Sequence, residues 1–129
     1  SLKLFLKKEV HYMKRILVAE DNDSNYILMS YILRKSYEIA RAVNGQEAVD
    51  MVAKEKFDMV LMDLQMPIMD GLTATKIIKS TNPELPVLAV TANAFGSDRE
   101  AALAAGCDEF ITKPVNAAGC LEIIAGFLK

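Results

Sequence analysis

A doubly wound α/β fold with a five-stranded parallel sheet is what this sequence predicts, and three observations carry the prediction. Short β-rich runs alternate with longer segments of helical period, the rhythm of βαβ units and a parallel sheet. Three of the runs are apolar almost throughout, as strands are when helices cover both faces. No composition shift, internal repeat or linker interrupts the alternation, and 129 residues is close to the usual size of one compact domain with a substantial core.

In chain order, the first strand is RILVAE (15–20). Its helix opens at Ser24 or Asn25 and carries Ile27, Leu28, Tyr31 and Ile32 on one side. YEIARA (37–42) follows, then a helix after Asn44-Gly45 with Ala48, Val49 and Val52. DMVLMD (58–63) is the third strand, and the helix after Gly71 presents Leu72, Thr75 and Ile78. PVLAVT (86–91) precedes a helix from about Ser97 to Ala105; DEFIT (108–112) precedes one from about Asn116 to Phe127. Five β-α units in this order predict a flavodoxin-like (βα)5 sheet of strand order 2-1-3-4-5. The weakly amphipathic residues 1–13 are read as linker from an upstream segment or an expression remnant, leaving 14–129 as the domain.

Charge and composition exclude several functions. The net charge is -2 with no basic block, so direct nucleic-acid binding is not expected. Cys107 and Cys120 lie in alanine-rich, apolar surroundings, without the density of a disulfide scaffold or the paired spacing of a zinc site. Both are read as buried free thiols of a cytoplasmic protein. No apolar run reaches membrane-spanning length, and the N-terminus lacks a signal-peptide core, so no membrane contact is expected. His11 is the only histidine, but KEVHYMK offers no helical scaffold for a phosphohistidine and reads as solvated linker. Met59, Met62, Met66 and Met69 read as packing residues.

The stretch VLMDLQMPIMDG (60–71) ends an apolar run on Asp63 and breaks at once into a proline loop. Alone, this is equally a polar strand terminus. The predicted fold decides, because its ligands bind at the carboxyl ends of the strands. Strand one ends in Glu20-Asp21, strand three in Asp63, strand four in Thr91, and Lys113-Pro114 follows strand five. Three acids, a hydroxyl and an amine thus converge on one edge. Neighbouring carboxylates raise each other's pKa values unless a cation neutralises them, and hard oxygen ligands in an open site suit Mg²⁺. Asp63, on the central strand, is the nucleophile of choice, with Glu20 and Asp21 as a metal-binding pair. Thr91 and Lys113 are placed to bind phosphoryl oxygens, since positioning and charge neutralisation are most of what phosphoryl transfer requires.

ILVAEDN, MDLQMPIMDG, AVTANA and FITKPV, in that order, resemble the receiver domains of two-component response regulators. The likeness covers roughly 14 to 129, and its style is most similar to receivers of hybrid histidine kinases. The resemblance implies that Asp63 takes a phosphoryl group from a phosphohistidine on a histidine kinase or histidine phosphotransfer domain, fusion to a hybrid kinase included. It further implies Mg²⁺ held by the carboxylates of Asp21 and Asp63 and the backbone carbonyl of Gln65. Glu20, where many members carry aspartate, would contribute through water. Lys113-Pro114 matches a lysine followed by a cis proline. Such a domain catalyses its own phosphorylation and slow dephosphorylation but acts mainly as a switch. Thr91 would be drawn toward the phosphoryl group, and Phe110, lacking a tyrosine hydroxyl, would rotate inward and remodel the face of the last two helices.

Other readings fit less well. A phosphatase of the haloacid dehalogenase type needs a second acid two residues after the nucleophile, where this chain has Gln65. A receiver reduced to protein binding would lack one of the acids, the threonine or the lysine. A nucleotide site would need a Gly-rich loop after strand one, and none is present.

Overall fold

The computed structural model describes residues 13–93 and 95–128. The expected linker, except Met13, lies outside the described residues together with His11, Ala94 and Lys129. Strands β1 (Arg15–Ala19), β2 (Glu38–Ala42), β3 (Met59–Asp63), β4 (Val87–Thr91) and β5 (Glu109–Thr112) form one parallel sheet in the order β2-β1-β3-β4-β5. Between and after them run α1 (Asp23–Leu33), α2 (Gly45–Lys54), α3 (Gly71–Thr81), α4 (Ser97–Ala105) and α5 (Ala117–Phe127). The predicted strands each run one residue too long. The flanking residues still share the ladder, with Asp58 N–H on Arg15 O at 2.8 Å and Asp108 N–H on Val87 O at 2.8 Å.

β3 and β4 are buried along their whole length, which is why they read as unbroken apolar runs, whereas β2 lies at the edge and is only partly covered. The sheet divides the core in two. One layer packs Leu17, Val60, Met62 and Ala89 against Ala48, Ala74, Ile78 and Ala102 of α2, α3 and α4. The other packs Ile16, Leu61, Leu88 and Ile111 against Met29 and Leu33 of α1 and Cys120 and Ile124 of α5. Cys107 belongs to the first layer and Cys120 to the second; both are free and buried, as expected from sequence.

The first helix requires a correction. Its expected apolar side was Ile27, Leu28, Tyr31 and Ile32, but α1 buries Met29 and Leu33, with Tyr26 and Ile32 packed beside them. Ile27, Leu28 and Tyr31 are 62%, 47% and 65% exposed. Nearly every residue of YILMSYIL is apolar, so periodicity could not choose the inward side; the strand-to-helix turn chose it.

Four of the five helices start from an Asn or Asp whose side chain accepts a backbone N–H of the first turn. Asn22 accepts from Asn25, Asn44 from Glu47, Asp70 from Thr73 and Asn116 from Gly119, at 2.7 to 2.9 Å. Each cap contributes about 1 kcal/mol. All four stand at the carboxyl edge of the sheet, so the same residues that begin the helices fix the loops of the site.

Candidate functional site

Every acid and hydroxyl expected at the carboxyl edge arrives there. Glu20, Asp21 and Asp63 each offer a carboxylate oxygen within 4.8 Å of the others. Glu20, Asp63 and Thr91 are only 5%, 6% and 7% exposed, so their charges and dipoles act on one another with little screening by water. Asp21 and Gln65 are exposed. Lys113 reaches in from beyond β5, its Nζ 3.2 Å from Glu20 Oε1 and 3.3 Å from Asp63 Oδ2. The peptide between Lys113 and Pro114 is cis, as the resemblance implied.

One ammonium thus faces two buried carboxylates, with a third acid at the rim. Burial, then a hydrogen bond shared with Asp63 and the repulsion of its charge, push the Glu20 carboxyl up to about 7, although the Asn22 N–H and Lys113 pull the other way. Burial would lower the Lys113 ammonium, but the charges of Asp63 and Glu20 outweigh it and hold it above its ordinary value. The site is short of positive charge. Hard oxygen donors at this spacing, with an exposed acid at the mouth, suit a divalent cation of the Mg²⁺ kind.

The loop after β3 is held in place from several sides. The Gln65 N–H donates to Asp63 Oδ1 at 3.1 Å and fixes that carboxylate. Ile68 has φ 69, in the left-handed region, and Met69 N–H bonds Pro67 O across it at 2.7 Å, closing a γ-turn. A β-branched residue there costs about 1–3 kcal/mol. The Gly45 N–H donates to Met69 O at 2.9 Å, and a Cβ on Gly45 would collide with that same carbonyl. At Gly71 a Cβ would collide with the carbonyl of Asp63 itself. The loop therefore lies where only two glycines leave room for it.

Thr91 and Phe110 occupy the expected elements, but their surroundings add detail. The Thr91 hydroxyl is engaged within its own turn, accepting the Asn93 N–H at 3.1 Å and donating to Asn93 O at 3.2 Å. Phe110 is 7% exposed, with the Arg99 guanidinium 4.8 Å from its ring centre. The ring already lies inside, where the sequence reading expected it only after phosphorylation.

Sequence reasoning missed Arg41, at the end of β2. Its Nε donates to Glu20 O at 3.0 Å and its Nη2 to Asp21 O at 3.2 Å, while Nη1 pairs with Asp23 Oδ1 at 2.9 Å. The only available signal was a lone cation at the end of an edge strand. Beside the acids, a cavity of about 110 Å³ opens between α1 and the 113–115 segment, lined by Glu20, Asn25, Leu28, Met29, Lys113 and Pro114. Among the described residues, no helix is long and apolar enough to cross a membrane.

Comparison with known proteins agrees with this geometry. The hybrid signal transduction histidine kinase G of Dictyostelium discoideum is 41% identical over 107 residues, 78% of this chain, and the chain spans 3% of that kinase's length. The receiver domain of sensor histidine kinase PA1611 from Pseudomonas aeruginosa PAO1, solved with a magnesium ion coordinated in its active site cleft, superposes with TM-score 0.84 at 32% identity. That match covers 89% of this chain and 97% of the other. The receiver domain of Ssk1 from Saccharomyces cerevisiae, crystallised with the histidine phosphotransfer signaling protein Ypd1, gives TM-score 0.83 at 30% identity, over 89% of this chain and 88% of that structure's. The response regulator receiver domain model matches residues 16–125. With five parallel strands in the order 2-1-3-4-5 and an acid cluster at their carboxyl edge, the chain belongs to the response regulator receiver domain family.

Proposed function

We propose that this domain, residues 14–129, accepts a phosphoryl group on Asp63 from a phosphohistidine of a histidine kinase or histidine phosphotransfer domain, in a Mg²⁺-dependent reaction. The observation that carries the proposal is the buried Asp63 carboxylate, with one oxygen fixed by the Gln65 N–H and the other 3.3 Å from Lys113 Nζ. A carboxylate so held cannot turn away, and it is aimed by hydrogen bonds rather than by chance. Asp21 and Asp63, with the Gln65 carbonyl, are the ligands assigned to the metal, and Glu20 acts through water. That assignment is supported by Glu20's own contacts, since its two oxygens already face the Asn22 N–H at 3.2 Å and Lys113 Nζ at 3.2 Å. When bound, Mg²⁺ would supply the missing positive charge at the phosphoryl oxygens.

The donor is brought in as a phosphohistidine, and the Asp63 oxygen attacks its phosphorus while the P–N bond breaks and the imidazole leaves with the bonding pair. Lys113 keeps an ammonium beside the oxygens that gain charge. Thr91, 7% exposed at the end of the neighbouring strand, supplies a hydroxyl once it leaves Asn93. Ile27, Leu28 and Tyr31 are exposed on α1, Leu28 lining the cavity beside the acids, and a phosphodonor helix docking on that helix would cover them. Two unpaired buried thiols fit a reducing, cytoplasmic compartment.

Incubation with a phosphohistidine donor and Mg²⁺ should add one phosphoryl mass that alkali removes, as an acyl phosphate requires. Asp63→Asn should lose it entirely, and an undiminished label on that variant would sink the assignment. Titration calorimetry should find Mg²⁺ weakened more by Asp21→Asn than by Glu20→Gln; the reverse order would make Glu20 the direct ligand.

A further inference from the structure

We infer that Arg41 is a positioning residue for the acid pair, an inference that rests on the metal reading above. Among the described residues, it is the one side chain whose contacts hold Glu20, Asp21 and Asp23 together. The guanidinium fork donates to two successive main-chain carbonyls, Glu20 O and Asp21 O, and its third nitrogen holds the Asp23 carboxylate. Its flat face lies 4.5 Å from the ring centre of Tyr26 on the first turns of α1. Arg41 itself is fixed by strand pairing, in register with Val18, and the Glu20 N–H donates to the adjacent Ala42 O at 2.9 Å.

Two consequences follow for the site. Both peptide groups that carry the acid side chains are tied outward to Arg41, which leaves Glu20 and Asp21 directed at Asp63. Asp23 is meanwhile held by an ion pair away from the acid cluster, which contains Glu20, Asp21 and Asp63 but not Asp23. The fork meets these three acceptors with three separate nitrogens held in one fixed plane, whereas an ammonium would have to reach all three from a single atom on a flexible stem.

The experiment compares the whole chain with Arg41→Ala and Arg41→Lys, using Mg²⁺ itself as the probe. Groups that orient metal ligands typically change affinity by about 10-fold or more, so both variants should show a Mg²⁺ dissociation constant raised by about that factor in calorimetry. Phosphoryl transfer at saturating Mg²⁺ should stay near wild type, so that the loss falls on the metal requirement and not on the chemical step. Urea denaturation establishes that each variant is folded. A residue that merely braced the fold would lower stability and leave the folded protein's Mg²⁺ affinity unchanged. Recovery of wild-type affinity in Arg41→Lys would overturn the fork, and wild-type affinity in folded Arg41→Ala would overturn the inference. Should Arg41→Ala not fold, Arg41→Lys, which keeps its stem along Tyr26, decides it. If the wild-type chain binds no Mg²⁺, the metal reading fails by itself. The positioning role is then judged on the Asp21 and Asn22 amide resonances of metal-free Arg41→Lys, where unshifted signals would refute it.

Discussion

The two ends of the sheet handle their charges in opposite ways. At the amino end Lys79 and Arg15 each meet carboxylate partners. Lys79 Nζ donates to Pro83 O, Leu85 O and Asp108 Oδ2 at 2.9 to 3.1 Å, and the same Asp108 oxygen accepts the Val87 N–H. Arg15 pairs with Glu38 and Glu55 and lies 4.7 Å from the centre of the Phe57 ring, while its own N–H binds Asp58. At the carboxyl end three acids crowd one ammonium, a β-branched residue sits at positive φ, and Glu20 holds its proton up to about 7. One end is built for stability. The other is left electrostatically incomplete, and that shortage is what a cation and a phosphoryl group would complete.

The sharpest way to test the contrast is to remove one charge from each end. Asp63→Asn should abolish phosphoryl acceptance, a loss of more than about 100-fold, yet raise the stability of the metal-free protein by about 1 kcal/mol through relieved repulsion. Lys79→Met should do the reverse. It strands Asp108 and two carbonyls, and should cost about 2 kcal/mol in urea denaturation with the labelling rate unchanged. A destabilised Asp63→Asn, or a Lys79→Met that labels slowly, would erase the division of labour between the ends.

A smaller effect is expected from pH. Glu20 binds its proton more tightly folded than unfolded, so its contribution is fully present below about 4.5 and is lost as pH rises through about 7. Metal-free stability should therefore fall by something like 2 kcal/mol across that window, and Glu20→Gln should flatten the decline. Mg²⁺ should show the opposite trend, binding less tightly as pH drops below about 7, because the proton competes with the cation. A metal-free stability that climbs through this range would mean Glu20 is ionised throughout.

The smallest effect concerns the Thr91–Phe110 pair. Beryllofluoride, a phosphoryl mimic, should shift ring and methyl NMR signals around Phe110 and Arg99. Thr91→Ala should suppress those shifts while Asp63 can still be labelled. Because the ring is already buried under Arg99, the change should be a shift in population worth well under 1 kcal/mol rather than a large swing. An unchanged Phe110 environment with the mimic bound would uncouple the two residues.

The central strands and the convergence of Glu20, Asp21, Asp63, Thr91 and Lys113 were legible because both follow from local pattern plus one topological rule. Burial on both faces leaves an unbroken apolar run, and parallel order sends every strand's carboxyl end to one edge. The inward side of α1 was not legible, since an apolar residue at almost every position gives periodicity nothing to choose between. Arg41 was hidden for a different reason: its partners lie about twenty residues away, and only strand register brings them together. The γ-turn was hidden too, because isoleucine argues against positive φ, and only the packed glycines at 45 and 71 show why the loop must bend there.

The placement of the two cysteines, one on each side of the sheet, turns the protein into its own reporter of motion. Both sulfurs are buried in the native state, and burial raises the Cys107 and Cys120 thiols above their ordinary range, the latter to about 11, so a thiol reagent should reach neither without an opening of the fold. Each labelling rate then measures how often its own layer opens, Cys107 beneath α3 and α4 and Cys120 on the buried side of α5, in the layer it shares with α1. Equal rates would mean that the domain opens as a unit. Faster labelling of Cys107 would place the loosest part of the molecule on the side of α4, which carries the Arg99 that covers Phe110.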